Sequence, residues 1–127
     1  MKRNRVLLAD DDLRIRATIH QLLQADFEVV DAVSDGHLLV EASLKLRPDV
    51  IVTDIAMPKM NGIEAARTIH RTLPDIKFIF LTMHDENGYR REAQSIGAAG
   101  YVLKFAAREE LKRAIHDAME DAAQSSS

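Results

Sequence analysis

The sequence predicts an α/β fold, a five-stranded parallel sheet doubly wound by helices on both faces. Three observations predict it. Five short strand-like runs (5–10, 27–32, 50–54, 77–82 and 99–103) alternate with segments of helical periodicity. Two prolines, Pro48 and Pro74, each close a helical segment just before a strand, in "RPDVIV" and "LPDIKFIF". The third strand, "VIVTD", is apolar on both faces, as a strand covered on both sides must be.

The elements follow in order. "RVLLAD" opens the chain as a strand, and Asp12 is placed to cap a helix led by Leu13. Ile15, Ile19, Leu22 and Leu23 fall at i, i+4, i+7 and i+8, one helical face. After the second strand, Leu38, Leu39, Ala42 and Leu46 repeat that spacing. Asn61, just before Gly62, is the natural cap for a third helix with Ile63, Ala66, Ile69 and Leu73 on its buried face. The fourth helix has only Tyr89, Ala93 and Ile96 as its stripe and is broken up by glycine, so it should be the least stable. Leu111, Ile115 and Met119 mark the fifth. Residues 1–121 read as one domain, and the polar, Ser-rich 122–127 as a frayed end or the start of a linker.

Composition narrows the function. A net charge of −3 gives no electrostatic grip on nucleic acid. The absence of cysteine removes disulfides, thiolate zinc sites and thiol catalysis together. No apolar run approaches the ~18 residues of a membrane span, and the basic start precedes too short an apolar run for a signal peptide. The expected setting is the cytoplasm, with no membrane partner.

Two strands end on acids. "VLLADDD" delivers Asp10, Asp11 and Asp12, and "VIVTDIAMP" ends its apolar run on Asp54. Ligands of open α/β sheets bind beyond the carboxyl ends of the strands, where strand order reverses. In the flavodoxin-like order 2-1-3-4-5, strands 1 and 3 are neighbours at that point. Strand 4 brings Thr82 to the same edge, and strand 5 brings Lys104. Carboxylates crowded together raise one another's pKa unless a cation sits among them. Hard oxygen ligands facing a crevice suit Mg²⁺, and a carboxylate is a competent nucleophile toward phosphorus. The parts make sense as a Mg²⁺-dependent site that places a phosphoryl group on an aspartate.

Asp10-Asp11, "TDIAMPKMNG" around Asp54, "LT" ending in Thr82 and "GAAGYVLK" ending in Lys104 together resemble a response regulator receiver domain of two-component systems. The resemblance implies Asp54 as phosphoacceptor from a histidine kinase. It implies Asp11, Asp54 and the backbone carbonyl of Ala56 as direct Mg²⁺ ligands, with Asp10 acting largely through water. It further implies Thr82 and Lys104 as contacts of the phosphoryl group, and Tyr101 as the aromatic that moves on activation, switching the face of helix 4, strand 5 and helix 5. Phe105 stands where many receivers have proline. With "LTMHDE", it resembles the NarL/LuxR-type subfamily, whose receivers precede a helix-turn-helix DNA-binding domain. On that resemblance, DNA is reached only through an output domain absent from these residues, a homodimer on phosphorylation is an expected partner state, and transcription is the expected output.

Competing readings are weaker. A haloacid-dehalogenase-type phosphatase would use Asp10 as nucleophile, because Asp10-Asp11-Asp12 contains its Asp-x-Asp spacing. That reading leaves Asp54 unexplained and finds Leu13-Arg14 where Gly-Thr is usual. An FMN module would need a Ser/Thr/Gly-rich phosphate cradle where this chain puts anions. A degenerate, unphosphorylated receiver is disfavoured because all the matching positions are filled. The exposed face of helix 1 (Arg14, Ala17, Thr18, Gln21) is the expected docking surface for a kinase, though one sequence does not identify the partner. His20, His37, His70 and His116 show no metal-ligand spacing and read as surface residues, while His84 could overlook the site. Met57 and Met60 read as packing residues.

Overall fold

The computed structural model describes residues 3–83 and 87–125. Five strands, β1 (Arg5–Ala9), β2 (Glu28–Val33), β3 (Val50–Asp54), β4 (Lys77–Thr82) and β5 (Gly100–Leu103), form one parallel sheet in the order β2-β1-β3-β4-β5. Helices α1 (Leu13–Leu23), α2 (Gly36–Leu46), α3 (Gly62–Thr72), α4 (Asn87–Ser95) and α5 (Ala107–Ser125) connect and follow the strands, with a 3₁₀ turn, Lys104–Ala106, leading into α5. The expected flavodoxin-like topology is the observed one. Strand bounds agree to within a residue. The fifth helix differs: it continues to Ser125, inside the segment read as a tail. Polar, Ala-containing sequence is compatible with helix once α5 has been started by its packed first turns.

The core is two layers, one on each side of the sheet. Val6, Leu8, Val50, Val52, Ile79, Leu81 and Val102 pack with Ile19, Leu23, Leu111 and Ile115 of α1 and α5. The alternate residues Leu7, Ala9, Ile51, Phe78 and Phe80 pack with Leu39, Ile63, Ile69 and Ala93 of α2, α3 and α4. Side chains alternate across a strand, so each strand feeds both layers. All five residues of β3 are buried. Leu38, expected on the buried stripe of α2, is 41% exposed instead. The same helix already buries Leu39 and Ala42, and Leu38 lies off their side.

Local chemistry sets the helix ends. Asp12 caps α1 by accepting hydrogen bonds from the amides of Arg14 and Ile15. Asn61 and Glu64 form a reciprocal capping box at the start of α3, a motif whose loss typically costs about 1 kcal/mol. Helices α2 and α3 stop immediately before the two proline-containing turns. Helix α4 buries Ala93 while Tyr89, and Ile96 in the turn just after the helix, are half-buried, the thin contact its sequence foretold.

Two glycines hold the loop between β3 and α3 where it is. A Cβ on Gly36 would overlap the main-chain carbonyl of Met60, and one on Gly62 would overlap the carbonyl of Asp54. The first contact lets the start of α2 lie against the loop, and Lys59 reaches Asp35 at 3.9 Å beside it. Gly36→Ala should therefore lower stability by about 2 kcal/mol, the usual scale for forcing a packed backbone apart. Denaturant unfolding measures it; a midpoint equal to wild type would show that the loop yields without cost.

Candidate functional site

The carboxyl ends of β1, β3, β4 and β5 converge on a cleft of about 320 Å³ lined by Asp11, Asp54, Ala56, Thr82, Met83 and Lys104. Sheet register brings the acids together. Leu8 pairs with Val52 and Ala9 with Thr53, so the next step along each strand sets Asp10 beside Asp54. One carboxylate oxygen from each of Asp10, Asp11 and Asp54 lies within 4.8 Å of the others. Lys104 Nζ stands 2.9 Å from Asp10 Oδ2 and 3.0 Å from Asp54 Oδ2. Asp10 is fully buried, Asp54 nearly so, and Asp11 is exposed.

Each oxygen of Asp10 is engaged. Oδ1 accepts the amide of Asp12 at 2.9 Å, and Oδ2 faces Lys104. The amide of Asp10 donates to Val33 O of the neighbouring strand. Asp54 is held through its main chain: Thr53 Oγ1 donates to its carbonyl, and Ile55 N donates to Leu81 O. Its side chain meets Lys104 and the cleft. Three carboxylates face one ammonium, leaving an excess of negative charge in a partly enclosed space. An all-oxygen donor set of this kind fits a small, hard divalent cation such as Mg²⁺, and Ala56 lines the same cleft as Asp11 and Asp54.

Electrostatics follow from this crowding. Burial, reinforced by Asp10 and opposed by Lys104, raises the Asp54 carboxyl from its ordinary 3.8 to about 6. For Lys104, burial works against the charge, but hydrogen bonds to Asp10 and Asp54 outweigh it and push its pKa up. Lys104 is thus a fixed cation.

Thr82 is buried at the end of β4 and lines the cleft. Tyr101 is half-buried and lies outside the lining; the Arg90 guanidinium sits 4.4 Å above its ring. Tyr89, read from sequence only as a packing residue of α4, reaches the cleft wall instead. Asp12 acts as the α1 cap. His20, His37, His70 and His116 are exposed as expected, and His84 lies outside the described residues. Sequence reading missed Gly36, Gly62, Tyr89 and Arg16, whose Nη1 donates to the Asp10 carbonyl at 2.9 Å. "NG" before a helix reads as a cap, and nothing local reports that the glycine faces Asp54.

The family model for the response regulator receiver domain matches residues 6–116. The chain belongs to that family. The receiver is 40% identical over 116 residues to the transcriptional regulatory protein YxjL of Bacillus subtilis, covering 90% of this chain and 53% of that protein. It is 39% identical over 112 residues to the response regulator UvrY of Escherichia coli K12, covering 87% of this chain and 51% of that one. A DNA-binding response regulator of the LuxR family from Staphylococcus aureus superposes with a TM-score of 0.86 at 29% identity, over 91% of this receiver and 98% of that chain. The chain spans about half the length of the curated relatives it matches. The chain is a response regulator receiver similar to those of LuxR-family regulators, and the haloacid-dehalogenase-type alternative finds no support. Among the described residues, no helix is long and apolar enough to cross a membrane.

The elevated Asp54 value fixes a pH dependence. Between about 4 and 6 the folded receiver keeps a proton that the unfolded chain has lost, so this carboxyl contributes stability below about 4 that is lost as pH rises to about 6. Carboxyl ¹³C NMR of the metal-free receiver should give a midpoint near 6 for Asp54, and added Mg²⁺ should lower it. A metal-free midpoint near the ordinary value would refute the account from burial and neighbouring acids.

Proposed function

We propose that this receiver accepts a phosphoryl group from a histidine kinase onto Asp54 and passes the change to the face formed by α4, β5 and α5. The observation that carries the reading is the placement of Asp54 Oδ2 3.0 Å from Lys104 and beside Asp10 and Asp11 at the mouth of the cleft. Asp11, Asp54 and the Ala56 carbonyl would hold Mg²⁺ directly. Asp10, with one oxygen on the Asp12 amide and the other facing Lys104, would act mainly through water. Bound there, Mg²⁺ neutralises negative charge on the transferring group.

The residues do the rest. An ionised Asp54 oxygen forms the new P–O bond while the P–N bond to the donor imidazole breaks, and that imidazole leaves with the electron pair. Lys104, already pulled toward Asp54, supplies positive charge to the phosphoryl oxygens. Thr82 offers a hydroxyl to another of them from the adjacent strand. The reaction is a self-modification used for signalling, with no turnover of an external substrate beyond loss of the phosphoryl group to water.

The groove between α1 and the start of α5 supports a kinase-facing surface. It is lined by Arg14, Thr18, Gln21, Leu22, Phe105 and Arg108, runs into Lys104, and measures about 750 Å³. Phe105 is 79% exposed there. YxjL is named a transcriptional regulatory protein, the Staphylococcus aureus neighbour is named DNA-binding, and the curated relatives are about twice as long, which supports an output in transcription through a separate DNA-binding domain. Homodimerisation on phosphorylation is part of the same proposal.

Two experiments test this. With a small phosphodonor and Mg²⁺, intact mass should rise by one phosphoryl group, and Asp54→Asn should abolish the rise; an adduct on Asp10 would overturn the assignment. The second separates chemistry from read-out. A phosphoryl group adds roughly −1.5 to −2 charge and three acceptor oxygens. Thr82 turning toward one of them leaves space that Tyr101 can enter. Thr82→Ala should still be phosphorylated but lose most of the amide shift changes in α4 and β5 seen with a stable phosphoryl mimic. Full shifts in the mutant would show that the Thr82–Tyr101 coupling does not operate.

A further inference from the structure

We infer that Arg16 is a positioning residue for the cation site, acting through the peptide between Asp10 and Asp11; the inference rests on the metal-site reading above. Arg16 Nη1 donates to the Asp10 carbonyl at 2.9 Å, from a half-buried position on α1. That carbonyl and the Asp11 amide belong to one planar peptide unit, so fixing the carbonyl direction fixes the direction in which Asp11 leaves the strand. Asp11 itself is exposed. Its neighbours are what is held: Asp10 by Val33, Lys104 and Arg16, and Asp12 by its bond to Asp10 Oδ1 and its cap of α1.

Helix geometry makes this arrangement natural. Side chains on a helix tilt toward its N-terminus. The Arg16 amide is bonded to the Asp12 carbonyl, one turn back, so its backbone is pinned to the same loop. A long side chain from there folds back over the Asp10–Asp12 turn. A charged donor makes a stronger bond to a carbonyl than a neutral one, which suits a peptide that must hold still beside repelling acids. The loop is thereby held in a metal-receptive shape before any cation arrives, as residues behind a metal's ligands commonly do.

The competing account is that Arg16 is merely a cation near an acidic cluster. The two differ in sign. A cation beside the site repels Mg²⁺, so removing it by electrostatics alone should tighten binding. Removing a positioning group should weaken it, by about 10-fold on the scale seen for groups behind metal ligands. Calorimetric Mg²⁺ titration of wild type, Arg16→Ala and Arg16→Met (which keeps the stem) decides between them, on samples whose folding is checked by NMR. The expected result is weaker binding in both variants, with phosphorylation by a small phosphodonor recovering most of the wild-type rate at saturating Mg²⁺. Equal or tighter binding overturns the inference. A metal-free arm keeps it testable if wild type binds no Mg²⁺, a result that would sink the metal-site reading by itself. There, hydrogen exchange at the Asp12 amide, which is bonded to Asp10 Oδ1, should quicken in both variants while Val52 in β3 stays unchanged. Unchanged exchange at Asp12 overturns the inference on its own.

Discussion

Lys104 between Asp10 and Asp54 is the interaction on which the site depends. Two carboxylates with almost no exposure would repel each other and pay heavily for lost hydration. One ammonium at 2.9 and 3.0 Å answers both, and it comes from a third strand end, far along the chain. Deleting a partner in such a buried cluster leaves an uncompensated charge, which costs more than the pairing gained. The compensation is partial by arithmetic of charge, since Asp11 adds a third carboxylate. The carboxylates outnumber the ammonium, and Asp54, raised first by burial and then by the charge of Asp10, carries the cost of that enclosure.

The fold supplies this cluster through alternation. Asp10 follows Val6 and Leu8 by even steps, Asp54 follows Val50 and Val52, and Lys104 stands two beyond Val102. All those apolar residues pack toward α1 and α5. Thr82 instead keeps the parity of Phe80, and Tyr101 pairs in register with Phe80 and packs with the layer under α2, α3 and α4. The acid–lysine chemistry thus lies on one parity and the proposed read-out pair on the other, meeting only where the sheet ends.

The legible parts of this molecule were those written locally. Strand ends, proline stops, the Asp12 and Asn61 caps and the thin stripe of α4 are each decided by a few adjacent residues, and each was readable. The acids, Thr82 and Lys104 were readable because strand order puts strand ends together. What could not be read depends on approach between distant segments. Gly36 matters because Met60 lies against it, and Gly62 because Asp54 does. Arg16 sits in a helical stripe, where its spacing says only that it is off the apolar face. Leu38 fitted the apolar stripe of α2, yet its exposure was decided by where α2 rests on the sheet, which periodicity alone does not specify.

These distant contacts share a purpose in the proposed mechanism. An excess of negative charge drives the loops that carry it apart, so each ligand-bearing loop needs a restraint that is not itself a ligand. The β1–α1 loop has Arg16 and the Asp12 cap. The β3–α3 loop has the capping box at Asn61 and the close seats at Gly36 and Gly62. Lys104 is followed at once by the 3₁₀ turn that starts α5, whose Ala107 and Leu111 are buried in the core. Each restraint draws its strength from packing or capping outside the cleft, so the site can keep its unbalanced charge. A site neutralised by its own side chains would have little affinity left for a cation or a phosphoryl group.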